Sequence, residues 1–124
     1  MLQTSDVAPA EPKTDARREC YLSAFRSMLL ARLFEEKLAS LYRGGKVIGG
    51  VFLGKGQEAL SASLAIALRK GDIYAPLIRD VAGRFAFGET LLDAARTCIG
   101  SRLGPMRGRD ATSIAANRAK ATTR

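Results

Sequence analysis

Apolar positions along this chain fall into four blocks punctuated by glycines. From Arg17 to Arg43 there is no Gly or Pro, and Leu, Ala, Met, Glu and Arg dominate, which predicts one long helix. At 100° per residue, Arg32, Glu35, Glu36 and Arg43 share about a third of its circumference. Leu22, Leu29, Leu30, Leu33, Phe34, Leu38 and Leu41 cover much of the remainder. An apolar arc that wide predicts burial against two neighbours, or against another subunit. Arg26 and Lys37 fall inside the arc and must snorkel or find carboxylates.

Gly44-Gly45 ends this helix, and Lys46-Val47-Ile48-Gly49-Gly50 forms a short, glycine-bounded connection. A second helix is expected from about Gly56 to Lys70, with Leu60, Leu64 and Leu68 at i, i+4 and i+8. Its other positions are mostly Ala and Ser, which permit close backbone approach. Gly71-Asp72 stops it. Pro76 interrupts the apolar run Ile73 to Ile78, so a strand there is brief or at an edge. Arg79 to Phe87 forms a third helix, closed by Gly88. Thr90 caps a fourth, Leu91 to Ile99, with Leu91, Leu92, Ala95, Cys98 and Ile99 on one face. On that face Cys98 is a packing residue rather than a nucleophile. The expected fold class is mainly α. Residues 1–16, rich in Pro, Asp, Glu, Thr and Ala, read as a flexible leader.

Composition then narrows the chemistry. A chain of 124 residues makes one modest domain, and 47% hydrophobic residues exclude wholesale disorder. The absence of His removes the commonest general base and most zinc sites. Two Cys make no disulfide framework. No apolar run approaches the roughly 20 residues of a membrane span, so no membrane association and a cytoplasmic location are expected. The net charge of +8 is uneven: the first 100 residues carry 14 basic and 11 acidic side chains, the last 24 carry six and one. A nearly balanced body makes nucleic-acid binding unlikely. The form it would take is a loose helix-turn-helix built from the second and third helices.

Two segments carry candidate chemistry. Gly49-Gly50-Val51-Phe52-Leu53-Gly54-Lys55-Gly56-Gln57-Glu58-Ala59 is a glycine-rich loop feeding a helix start. Free N–H groups and a positive dipole end there suit an anion, but the spacing matches neither G-x-x-x-x-G-K-[ST] nor G-x-G-x-x-G after a strand. The competing reading is a tight interhelix turn. Arg79-Asp80 reads either as a helix start with an ion pair or as an exposed guanidinium that holds a phosphate bidentately.

The run Phe34-Glu35-Glu36-Lys37, then Leu41-Tyr42, Gly49-Gly50, Gly56-Gln57-Glu58-Ala59, Gly71-Asp72, Arg79-Asp80 and Gly88 resembles an amino-terminal region of one family. That family is the alpha subunits of thiamine-diphosphate-dependent 2-oxo acid dehydrogenases, the first components of the pyruvate and branched-chain complexes. The resemblance runs from about Arg26 to Asp110. It implies the helical, amino-terminal part of an α/β thiamine-diphosphate-binding fold. It also implies an α2β2 heterotetramer with a beta subunit and a second alpha subunit, and acyl transfer to a lipoyl acyltransferase.

The cofactors implied are thiamine diphosphate and magnesium. The resemblance places Phe52, Gln57, Ile78 and Arg79 at the cofactor, with Arg79 on the diphosphate. Phe52 stands where the family often has His, Ile78 where it often has Tyr, and Val81 where it often has His; none of the three can donate a side-chain hydrogen bond. The family's Gly-Asp-Gly to Asn motif, which binds magnesium and diphosphate, does not occur in this sequence. Residues 17–110 therefore read as a partial, truncated alpha-subunit domain, inactive alone. Residues 111–124 read as an out-of-frame ending, with a genuine basic, Ala-rich tail as the alternative. A non-catalytic interaction module using the arc of the first helix is the other reading of the whole chain.

Overall fold

The computed structural model describes residues 13–47, 49–69 and 71–109. Four helices follow in order: α1 (Lys13–Arg43), α2 (Glu58–Ala67), α3 (Val81–Ala86) and α4 (Leu91–Cys98). No strand occurs among the described residues, and the chain is mainly α. The run Ile73 to Leu77 forms no helix or strand, and Ile78 lies in a turn. The tail at 111–124 and most of the expected leader lie outside the described residues. The first helix reaches four residues further than expected, to Lys13, and Asp15 in its first turn sits where the positive helix end favours a carboxylate.

Side chains that compete for backbone N–H groups set the other boundaries. The second helix stops at Ala67 because Leu68 turns extended (ψ 148°) and the Asp72 carboxylate accepts from the N–H of Arg69 at 2.7 Å. The third begins at Val81 rather than Arg79, since the Asp80 carboxylate accepts from Leu77 N at 2.9 Å and folds residues 77–80 into a turn. Gly88, at φ +106°, closes α3. Thr90 Oγ1 caps α4 by accepting from Asp93 N at 3.1 Å.

The core is built from small residues at helix crossings: Ala31, Ala62, Val81, Ala82, Phe85 and Ala94, with Met28 and Phe34 packed against them. Phe34 and Phe85 meet edge to face with centroids 5.6 Å apart. The crossing of α2 and α3 depends on Gly83, where a Cβ would stand 2.1 Å from the Tyr74 hydroxyl and 2.8 Å from the Ser61 carbonyl.

Two faces depart from the sequence pattern. α1 turns Ala31, Glu35 and Leu38 inward, so a member of its charged third is buried while Leu22, Leu29, Leu30 and Leu33 face outward. On this inward face Glu35 finds a buried backbone partner in Gly54 N, beside the apolar Ala31 and Leu38. Arg26 and Lys37 are exposed rather than enclosed. In α4 the buried residues are Ala94 and Thr97, whereas Leu91, Leu92 and Ile99 lie open. Of this helix only Ala94 joins the core cluster, and the larger apolar side chains are left outside it. Cys98 is half-buried and free, and burial raises its thiol pKa, which keeps it protonated and inert.

Candidate functional site

Two buried carboxylates tie the glycine-rich loop to the helices. Glu35 of α1 is 2% exposed, and its Oε1 accepts from Gly54 N at 2.8 Å. Its Oε2 is buried with no partner. Burial raises its pKa; the Gly54 N–H opposes that shift, and the nearby Glu58 adds to it. Glu58, in the first turn of α2, accepts from Arg32 at 2.7 Å through Oε1 and from Gly56 N at 2.8 Å through Oε2. Burial alone would raise this carboxyl, but its own backbone N–H, Arg32 and Gly56 outweigh it and hold it below the ordinary range. One acid is thus held toward neutral and its neighbour toward ionised.

Between these anchors the loop presses on the turn that precedes α3. A Cβ on Gly54 would stand 2.0 Å from the carbonyl oxygen of Arg79, so only glycine permits this approach. Gly49 and Gly56, at φ +110° and +93°, give the loop its bends. The arrangement is a tight turn between helices, with a backbone junction to residue 79 that the sequence did not reveal.

Of the four residues placed at a cofactor by resemblance, two share a cavity. Phe52 and Ile78 line it together with Phe34, Val47, Pro76 and Arg84, among others. Both are partly exposed at its rim. Arg79 is exposed, and among the described residues it makes no ion pair, so of the two readings of Arg79-Asp80 the ion pair does not form. Gln57 lies apart from the cavity, where its N–H donates to Gly54 O at 2.9 Å and its carbonyl accepts from Leu60 N at 3.1 Å. It starts α2 rather than lining the rim. Glu35 is the residue that the sequence pattern does not single out, since it shares one arc of the helix with Arg32, Glu36 and Arg43. Only the buried loop contact distinguishes it from Glu36, one position on.

The cavity encloses about 50 Å³, far below the roughly 300–1,000 Å³ of sites that surround an organic ligand. Among the described residues no three His, Cys, Asp or Glu side chains cluster as metal ligands. These residues therefore neither enclose thiamine diphosphate nor form a magnesium site. Arg79 is exposed next to Ile78 in sequence but does not line this cavity.

The nucleic-acid reading fares worse. Its second helix, α3, carries one basic side chain, Arg84, and that is held bidentately by the buried Glu89.

The chain is similar to alpha subunits of the pyruvate dehydrogenase E1 component. The chain is 43% identical over 75 residues to the pyruvate dehydrogenase E1 component subunit alpha of Rickettsia prowazekii, an alignment covering 60% of this chain and 22% of the relative. It is 36% identical over 92 residues to the same subunit from Rhizobium meliloti, covering 74% and 26%. It is 32% identical over 112 residues to the chloroplastic subunit alpha-3 of Oryza sativa, covering 85% and 26%. The chain thus spans about a quarter of the length of the curated relatives it matches. No family model and no solved structure gives a significant match. No helix among the described residues is long and apolar enough to cross a membrane. By its residues and by these relatives alike, the chain resembles a fragment of the alpha subunit of the pyruvate dehydrogenase first component.

Proposed function

We propose that this chain contributes the helical part of a thiamine-diphosphate-dependent 2-oxo acid dehydrogenase alpha subunit, and that its loop–turn junction forms one wall of the cofactor site. The observation that supports this most is the contact of Gly54 with the Arg79 carbonyl. It fixes the turn bearing an unpaired guanidinium against the loop bearing Phe52. In this reading Arg79 holds the cofactor diphosphate, Phe52 and Ile78 exclude water beside it, and Gln57 sets where the loop becomes α2. Glu35 and Glu58 hold the loop without touching the cofactor. When bound, thiamine diphosphate supplies the nucleophilic carbon that decarboxylates the 2-oxo acid. Magnesium ligands and the remaining walls come from outside the described residues.

The working form is then an assembly with a beta subunit and a second alpha subunit in the cytoplasm, delivering acyl groups to a lipoyl acyltransferase. The 124 residues alone catalyse no decarboxylation. A titration tests the reading: thiamine diphosphate with magnesium is added to the chain mixed with a bacterial pyruvate dehydrogenase beta subunit. Saturable heat is expected, and Arg79→Ala weakens binding by about 10- to 100-fold, the loss of a charge-assisted hydrogen bond or two. Equal affinity for both forms, or no binding to either, contradicts it.

A further inference from the structure

Glu35 lines two cavities: the small one rimmed by Phe52 and Ile78, and an open one of about 360 Å³ whose other walls are Glu36, Ala39, Arg43, Leu53 and Lys55. The larger volume lies within the roughly 300–1,000 Å³ of sites that surround an organic ligand. Its charged side chains come as two of each sign. Glu35 and Glu36 stand together on α1, and Arg43 follows two turns later, about 10 Å along the helix axis. Lys55 reaches in from the glycine-rich loop. Arg43 makes no ion pair among the described residues, and Lys55 meets only Glu36, at 3.4 Å between exposed side chains. Glu35 is the group most in need of a partner, because its Oε2 is buried with none. The small cavity offers it only Arg84 as a cation, and Glu89 already holds that guanidinium. Ala39 and Leu53 supply the apolar part of the larger cavity.

We propose that the larger cavity binds a free α-amino acid with an aliphatic side chain, its ammonium between Glu35 and Glu36 and its carboxylate on Arg43 and Lys55. The ammonium donates to the orphaned Oε2, and drawing Lys55 from Glu36 costs little because that pair is exposed. Arg43 offers the planar fork that fits a carboxylate. The aliphatic side chain lies on Ala39 and Leu53. Charge excludes the nearest alternatives: a dicarboxylate sets one of its charges against Glu35 and Glu36, and a diamine sets one against Arg43 and Lys55. Recognition of this kind couples to protonation. The charged groups around Glu35 are Arg32 and Glu36 on its own helix, Lys55 and Glu58 across the loop, and Arg84 of α3 in the small cavity. Burial, the largest influence, keeps its carboxyl toward neutral in the free chain. An ammonium beside Oε2 favours the ionised form, so binding releases a proton wherever free Glu35 holds one. The inference rests on Glu35 and Arg43 and not on the cofactor reading.

Calorimetric titration of the full chain with L-leucine tests it, run at about pH 5 in two buffers of different ionisation heat. A Kd below about 1 mM is expected, with heats that differ between the buffers through the released proton. Isocaproate, which lacks the ammonium, and isoamylamine, which lacks the carboxylate, bind at least about tenfold more weakly. Arg43→Gln, at an exposed position outside the core, weakens leucine binding at least about tenfold with unchanged circular dichroism. Glu35→Gln keeps an acceptor for Gly54 and abolishes the difference between buffers. Absence of binding at about 10 mM leucine overturns the proposal. So does either analogue binding as tightly as leucine, an unchanged affinity in Arg43→Gln, or the same heat in both buffers. None of these failures bears on Arg79 and the cofactor, which the titration with thiamine diphosphate decides separately.

Discussion

Glu35 shows how far one side chain governs the loop. Its carboxyl is the largest fully buried side chain of the described fold and the partner of Gly54 N. Because burial raises its folded-state pKa, Glu35 stabilises the fold in acid. That contribution is lost as pH rises through the raised value. Glu58 has the opposite sign: its contribution is present above the unfolded carboxylate range and is lost as pH falls through its lowered value. Glu35→Gln keeps an acceptor for Gly54 and removes the ionisation. Relative to wild type, urea denaturation should therefore show Glu35→Gln gaining stability between about pH 5 and about pH 8. A difference that does not move with pH contradicts the assignment. Glu35→Ala leaves a buried N–H without a partner and should cost about 1–3 kcal/mol at either pH. Gly54→Ala drives a Cβ into the Arg79 carbonyl. Loop displacement should cost about 1–3 kcal/mol, visible as a lowered urea midpoint.

Among the helices, those with strong local signals were legible and the faces they bury were not. Thr90 before Leu91 gave the cap of α4, and Gly88 gave the end of α3. Replacing Thr90 by Ala should cost about 1 kcal/mol in thermal or urea unfolding. α1 was legible as a helix, but its buried face includes Glu35 through the Gly54–Glu35 bond, a contact across 19 residues that no periodicity contains. Hydropathy ranked Glu35 with Glu36, and the fold separates them completely. Near Ile73, where Pro76 limited any strand to a brief or edge one, none forms: Asp72 takes the N–H of Arg69 before that segment and Asp80 takes that of Leu77 within it. In the candidate site, Arg79 and Phe52 came from resemblance, and their connection through Gly54 came only from the structure. Gly83→Ala tests the α2–α3 crossing. Its Cβ would meet backbone at Ser61, so a loss of about 1–3 kcal/mol is expected in the same unfolding experiment.

For the molecule as a whole, small-residue crossings form a thin core while large apolar side chains line the outside. Leu60, Leu64, Leu77, Leu91, Leu92 and Ile99 join Leu22, Leu29, Leu30 and Leu33 of α1 in facing outward. Exposed apolar surface on this scale marks places where other chains sit. The relatives named above are subunits, and this chain matches about a quarter of each. The exposed apolar surface supports the proposed assembly with a beta subunit. The most direct measurement mixes the chain with a bacterial pyruvate dehydrogenase beta subunit and determines the mass by light scattering during size exclusion. The account expects one peak whose mass contains both polypeptides. Two peaks at the masses of the separate proteins, at every concentration tried, would contradict it.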